Sequence, residues 1–189
     1  MRAFFADQTH VKKDFQKIHL QKGDYENCTF EGCQFQEGLL DNQNFVECRF
    51  IDCDLTNANI SHTQFNSVVF EGCKLVGIQF DTCAPLLLRL SFKECNLSLS
   101  RFYDMQLPST HFTDCKLHQV DFGYTNLSKS IFTNCDFKDA LFENTNLSAA
   151  DFSTAFNFNI EPTQNNIKKA LFSAYGLMGL LKKHDIVMV

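Results

Sequence analysis

The chain has 189 residues, 44% of them apolar and 21% charged, which is enough to bury the core of one domain and too apolar for a disordered chain. Its net charge of −5, from 17 basic and 22 acidic groups, excludes a protein that grips nucleic acid by neutralising phosphates. The aromatic residues are 21 Phe, four Tyr and no Trp, a bias that points to one structural slot demanding Phe repeatedly.

The opening stretch, MRAFFADQTHVKKDF, has too short an apolar run for a signal peptide and is interrupted by Asp7. No run in the chain reaches the roughly 18 apolar residues of a membrane span. The expected location is therefore the cytoplasm, where nine cysteines are free thiols. Residues 1–12 are expected to form an N-terminal cap.

From Phe15 every fifth residue is apolar: Phe15, Leu20, Tyr25, Phe30, Phe35 and so on to Phe80, fourteen in succession. The phase then slips by two, and a second series of thirteen runs from Phe92 through Leu97, Phe102 and Leu107 to Phe152. At this composition, 27 consecutive hits have a chance probability on the order of 10⁻¹⁰. Two residues before each centre the side chain is usually small, as at Cys28, Cys33, Ala58, Cys73, Ser100 and Cys115, with Lys13 and Gln43 as the large polar exceptions. A period of five matches neither a helix nor a strand, so one large and one small residue per five point inward on a coiled backbone, which makes a solenoid. The expected layout is a first repeat block over 13–80, a bulge or small loop over 81–91 carrying Asp81, Pro85 and Arg89, and a second block over 92–156.

After Asn157 the five-residue period stops, and residues 157–189 are expected to be a helical cap and dimerisation segment. Thr163, following Pro162, reads as a helix N-cap with Ile167, Ala170 and Leu171 on one face. A second helix is expected over Ala174–Lys183, with Ala174, Leu177, Met178 and Leu181 at i, i+3, i+4 and i+7. The chain ends in Ile186, Val187, Met188 and Val189, an apolar tail that invites association. The expected assembly is a homodimer through the C-terminal ends, with contacts from Leu177, Met178, Leu181, Ile186, Val187 and Met188.

At Ala58-Asn59-Ile60-Ser61, Thr125-Asn126-Leu127-Ser128, Thr145-Asn146-Leu147-Ser148 and Ala150-Asp151-Phe152-Ser153 the sequence resembles the pentapeptide-repeat family. The resemblance covers about residues 13–155 and implies an all-β solenoid, a right-handed quadrilateral β-helix of about seven coils with a C-terminal α-helical cap. Four pentapeptides per coil imply that residues 20 apart stack, and Cys33, Cys53 and Cys73, or Phe92, Phe112, Phe132 and Phe152, are spaced accordingly. Two repeat blocks followed by a helical extension resemble the Qnr-type and McbG-type subset of the family, with the tail from Ile160 to Val189 most similar to the latter. That resemblance implies a non-enzymatic, DNA-mimicking dimer that binds DNA gyrase or topoisomerase IV and protects it from a poison or toxin.

The residues themselves offer little chemistry. Cysteines five and twenty apart do not match the pairs two to four residues apart of a zinc site, so no metal and no cofactor is expected. There is no phosphate-binding glycine loop and no recognised nucleophile motif, so no catalytic residue is expected. What remains is the surface. Residues 23–160 carry eight basic and eighteen acidic groups, or −10, while residues 1–22 and 161–189 carry +3 and +2. The candidate partner-binding residues are Glu31, Glu47, Asp52, Glu71, Glu94 and Asp114. An alternative reading is a structural scaffold that mediates other protein–protein interactions and uses acidity only for solubility.

Overall fold

A computed structural model describes residues 2–184 and 186, and its backbone repeats a square coil of short strands and turns. On one side of the tube nine strands stack in parallel, from Thr9–Val11 to Leu171–Phe172. On the adjacent side Ala3–Ala6, Gly23–Glu26, Asn44–Val46 and Gln64–Asn66 form a second parallel sheet. The remaining sides are joined by isolated parallel bridges such as Gln34↔Asp54 and Arg101↔Asp121. Paired residues are 20 apart, as in Phe50↔Phe70, and 22 apart at Phe70↔Phe92, where the phase slips. The fold is the expected right-handed quadrilateral β-helix. Eight steps between nine strands, at about 4.8 Å each, make a rod roughly 38 Å long.

The core explains the phenylalanine excess. Along each file the rings lie face to face: Phe30–Phe50 at 4.8 Å and 10°, Phe92–Phe112 at 5.0 Å and 12°, Phe102–Phe122 at 5.2 Å and 12°. Across the tube, rings from opposite sides meet edge to face, as in Phe102–Phe112 at 6.2 Å and 87°. Both arrangements suit the aromatic quadrupole, and each pair adds about 0.5–1.5 kcal/mol beyond the burial of its area.

Although Ala58, Val68, Ile78 and Val120 fill the small slot with no donor, at many coils it does more than fill space. There its side chain donates a hydrogen bond to a carbonyl of the coil before: Cys53 Sγ to Phe30 O at 3.3 Å, Cys73 Sγ to Phe50 O at 3.3 Å, Thr145 Oγ1 to Phe122 O at 2.9 Å, Ser100 Oγ to Leu75 O at 2.8 Å. Cys, Ser and Thr recur there because each is small and carries a donor. All nine cysteines are buried, where they pack as small side chains, and burial pushes the Cys48 thiol up to about 12. The residue before each centre is often Asn or Asp and caps the following turn: Asn59 Oδ1 accepts from the Ser61 amide at 3.0 Å and hydroxyl at 2.7 Å.

Both predicted ends need correction. Residues 1–12 are not a separate cap: Ala3–Ala6 pairs with Gly23–Glu26 and Thr9–Val11 with Thr29–Glu31, so the first coil starts at once. Phe5 and His10 occupy the centre slots of that coil, and a histidine hid the period there. At the other end Thr163 caps no helix. The coil continues, with Asn165 in the small slot, Asn166 bridged to Asn146 and Phe172 paired with Phe152. Leu171, expected on a buried helix face, points outward and is 56% exposed. The spacing of Ile167 and Phe172 is the five-residue period, which overlaps a helical stripe over so short a stretch. The loop is also narrower than 81–91: Asp81 belongs to a 3₁₀ turn, Phe80–Thr82, Cys83 still fills the small slot with its thiol donating to Ile60 O at 3.7 Å, and Leu90–Lys93 is already strand, leaving Ala84–Arg89.

The terminal segment is helical, as 3₁₀ turns Tyr175–Leu177 and Lys182–His184 around an α-helical turn Met178–Leu181. It lies on the last coil through glycine and not through the predicted apolar stripe. A Cβ on Gly179 would sit 2.3 Å from the Phe158 ring, and the Gly179 carbonyl accepts the Ile160 amide at 2.9 Å. No helix among the described residues is long and apolar enough to cross a membrane.

Two outcomes follow. Phe112→Ala removes one ring from a stacked file and is expected to cost about 3–5 kcal/mol in urea unfolding. Leu99, held at φ 63°, is expected to gain about 1 kcal/mol as Leu99→Gly because glycine adopts that backbone freely. A third concerns His10, which stacks on Phe30 at 4.9 Å; burial first, then Lys13, lowers its pKa below the ordinary 6.5. The folded chain therefore binds fewer protons than the unfolded one. The stability this gives is complete above pH 6.5 and is lost as the pH falls through and below it. His10→Phe is expected to flatten that acid limb in urea midpoints measured between about pH 5.5 and 8.

Candidate interaction surface

The tube has four sides, and outward side chains on each are set by the five-residue register. The side bearing the nine-stranded sheet carries Glu31 and Glu71 on its strands and Asp52, Glu94 and Asp114 along one of its corners, with Glu47 on the corner at its other edge. Two features weaken that face as a negative surface. Glu71 is neutralised by Arg49 at 3.2 Å and Lys93 at 2.7 Å, and Lys93 also reaches Glu94 at 3.5 Å. Glu47, Asp52, Glu94 and Asp114 occupy corners with φ between 51° and 54°, where short polar residues are favoured for backbone reasons. Counted over the observed rod, residues 3–172, fourteen basic groups oppose twenty-one acidic ones, or −7. Over about 38 Å this is roughly a third of the linear charge of duplex DNA, so the distribution among faces decides what the rod can attract.

The opposite side is the more distinctive. Between Phe80 and Phe142 it bears four carboxylates, Asp81, Asp104, Asp121 and Glu143, and one cation, Arg101. Register places Gln79, Arg101, Asp121 and Leu141 in one file. Arg101 reaches Asp81 Oδ2 at 3.3 Å and lies 5.1 Å from the centre of the Tyr103 ring. Tyr103 in turn meets Tyr124 at 5.3 Å and lies against Gly123, where a Cβ would come within 3.2 Å of its ring. Loss of hydration raises the Tyr103 phenol pKa, and Tyr124, Asp104, Glu143 and Asp121 raise it further, which locates the negative field around that hydroxyl. Two exposed tyrosines and an arginine ringed by carboxylates have the composition of a binding hot spot. Of these residues only Asp81 is singled out from sequence, as part of the loop, because Asp121 there is one more repeat-position acid and nothing in the sequence pairs Tyr103 with Tyr124.

The loop borders the same face. Leu86 and Leu87 are each 64% exposed, Pro85 and Arg89 are exposed, and Leu88 turns in toward the core. Of the predicted dimer residues, Leu177 and Ile186 are 47% exposed and Met178 and Leu181 half-buried, while Val187 and Met188 lie outside the described residues. Tyr175, which the sequence reading passed over, is 94% exposed beside them.

Family models for the pentapeptide repeat region and for pentapeptide repeats match residues 86–155 and 39–72. The chain belongs to the pentapeptide-repeat family. Comparison with curated protein sequences returns no match. Among solved structures it is similar to QnrB1, a plasmid-mediated fluoroquinolone resistance protein: a trypsin-treated variant aligns with TM-score 0.58 at 16% identity over 99% of this chain and 92% of that one. Full-length QnrB1 aligns at 0.57 and 16%, over 97% and 100%. HetL, a pentapeptide-repeat protein involved in heterocyst differentiation regulation in the cyanobacterium Nostoc, aligns at 0.55 and 14%, over 89% and 85%. At these identities the likeness is one of fold.

Neutralising the field around Tyr103 checks this geometry. In the double variant Asp121→Asn with Glu143→Gln, the Tyr103 phenol is expected to titrate at lower pH than in the parent, read by tyrosine-selective NMR; an unchanged titration contradicts the assigned field.

Proposed function

We propose that the chain is a non-enzymatic protein that binds a type II topoisomerase, DNA gyrase in particular, through the face carrying Tyr103, Asp104, Asp121, Tyr124 and Glu143, and protects it from a poison. The observation that carries this reading is the concentration of carboxylates and tyrosines on one side of a straight rod, opposite a side whose acids are partly paired. Such a face complements the basic saddle on which a topoisomerase seats duplex DNA, and salt weakens contacts of that kind. The fold shared with QnrB1, a fluoroquinolone resistance protein, supports the same direction. We further propose that the apolar end formed by Tyr175, Leu177 and Ile186 pairs two copies of the chain. A scaffolding role for another partner is the rival reading, since HetL carries the same fold in a different setting; it calls for little salt dependence and no topoisomerase affinity.

Purified chain added to a gyrase supercoiling assay is expected to inhibit supercoiling or to restore it in the presence of a poison. Tyr103→Ala with Tyr124→Ala is expected to lower that potency by about tenfold or more. Neither inhibition nor rescue at any concentration up to saturation rejects the reading. Light scattering is expected to show a dimer that Tyr175→Ser with Leu177→Ser converts to monomer.

A further inference from the structure

Where the Ala84–Arg89 loop leaves the coil, a cavity of about 390 Å³ opens between the loop and the next coil. Its walls are Pro85, Leu88, Tyr103 and Met105, and its polar lining includes Asp81 and Asp104. Met105 is itself informative, because it fills the small slot that Thr125 and Thr145 fill in the following coils. A flexible thioether there makes an apolar wall where the two following coils place a small hydroxyl donor.

Asp81 is the unusual member. Its side chain is 14% exposed, its Oδ2 has Arg101 at 3.3 Å, and its Oδ1 is buried and accepts no hydrogen bond from any described residue. A buried acceptor without a donor is costly, and native structures rarely keep one without use. Burial holds this carboxyl above its ordinary pKa, with Arg101 offsetting part of that shift and Asp121 adding to it. A cation brought to the pocket would relieve the field that Asp81, Asp104 and Asp121 make together. The volume lies in the range of small-molecule pockets, and the combination is an apolar throat with an anionic wall.

We propose that this pocket receives an alkylguanidinium or alkylammonium group, the end of an arginine or lysine side chain of the basic partner. An aliphatic stem packs on Leu88, Met105 and Pro85, while the charged head pairs with Asp81. Both ligands present several N–H donors, and guanidinium fits a carboxylate more closely. The partner's identity rests on the preceding reading; the chemistry of the pocket does not.

The test uses the full chain with ¹³C-labelled methionine methyls, so that Met105 reports on the pocket and Met178, in the terminal helical segment, serves as reference. n-Butylguanidinium and n-butylammonium chloride are titrated against neutral n-butanol. The expected result is a saturable Met105 shift with both cations, about tenfold or more tighter than with butanol, lost in Asp81→Asn and retained in Asp104→Asn. An equal response to butanol, or none to either cation, overturns the proposal. If Asp81→Asn does not fold, the comparison of cations with butanol on the parent chain decides alone. The source of the cation is read separately: a loss of about tenfold in gyrase affinity in Asp81→Asn, with competition by butylguanidinium, supports a partner side chain. Unchanged gyrase affinity overturns that occupant and leaves a site for a free alkylamine. If the parent chain binds no topoisomerase at all, the preceding reading falls, while the Met105 titration still judges the pocket.

Discussion

Everything in this molecule depends on a vertical register in which each inward side chain lies on the one 20 residues before it. Phenylalanine on phenylalanine satisfies that register along a file, and rings from opposite sides close the centre edge to face, so the tube holds without a separate core. Parallel ladders bind the coil above to the coil below, and the small slot adds a hydrogen bond from Cys, Ser or Thr to the same neighbour. Such an arrangement tolerates extra residues only as an excursion from one side. The two additional residues between Phe70 and Phe92 are absorbed in this way, and Phe70 and Phe92 still stack at 5.6 Å.

The same register governs what the outside can do. Three positions in five point outward, and one of them sits at a corner whose positive φ favours Asn, Asp and Gly. Acidity at corners is thus partly a by-product of folding, and charge there is a poor guide to recognition. On the opposite side Asp104 and Tyr124 also sit at corners, with φ 55° and 58°, and Asp121 caps its turn by accepting the Gly123 amide at 2.9 Å, whereas Asp81, Tyr103 and Glu143 occupy positions that the backbone does not restrict. Tyr103 on Gly123, with Arg101 and Asp81 alongside, is a local construction added to the repeat.

The fold was legible from sequence because its period is carried by large apolar residues in unbroken series, and a single such residue stays readable wherever it falls. Legibility failed where the signal depended on polar substitutes. His10 stands where Phe stands in later coils, and Asn165 stands where Thr145 and Thr125 stand, so the first and last coils were read as caps. The terminal helix was expected to pack by its apolar stripe, but glycines let the backbone of Gly179 approach Phe158 directly, a contact that hydrophobic periodicity does not encode. The candidate surface was half legible. Residues 20 apart fall on one side by register alone, while the neutralisation of Glu71 by Arg49 and Lys93 and the pairing of Tyr103 with Tyr124 depend on which neighbours the turns bring into reach.

Recognition is proposed for one side of the rod, and carboxyl footprinting tests that proposal most directly. The chain alone and its complex with DNA gyrase are treated with a carbodiimide and a small amine, and modified residues are read by mass spectrometry. Protection confined to Asp104, Asp121 and Glu143, with Asp52 and Asp114 modified equally in both samples, is the predicted result. Protection of Asp52 and Asp114 in place of those three, or of none, would contradict it.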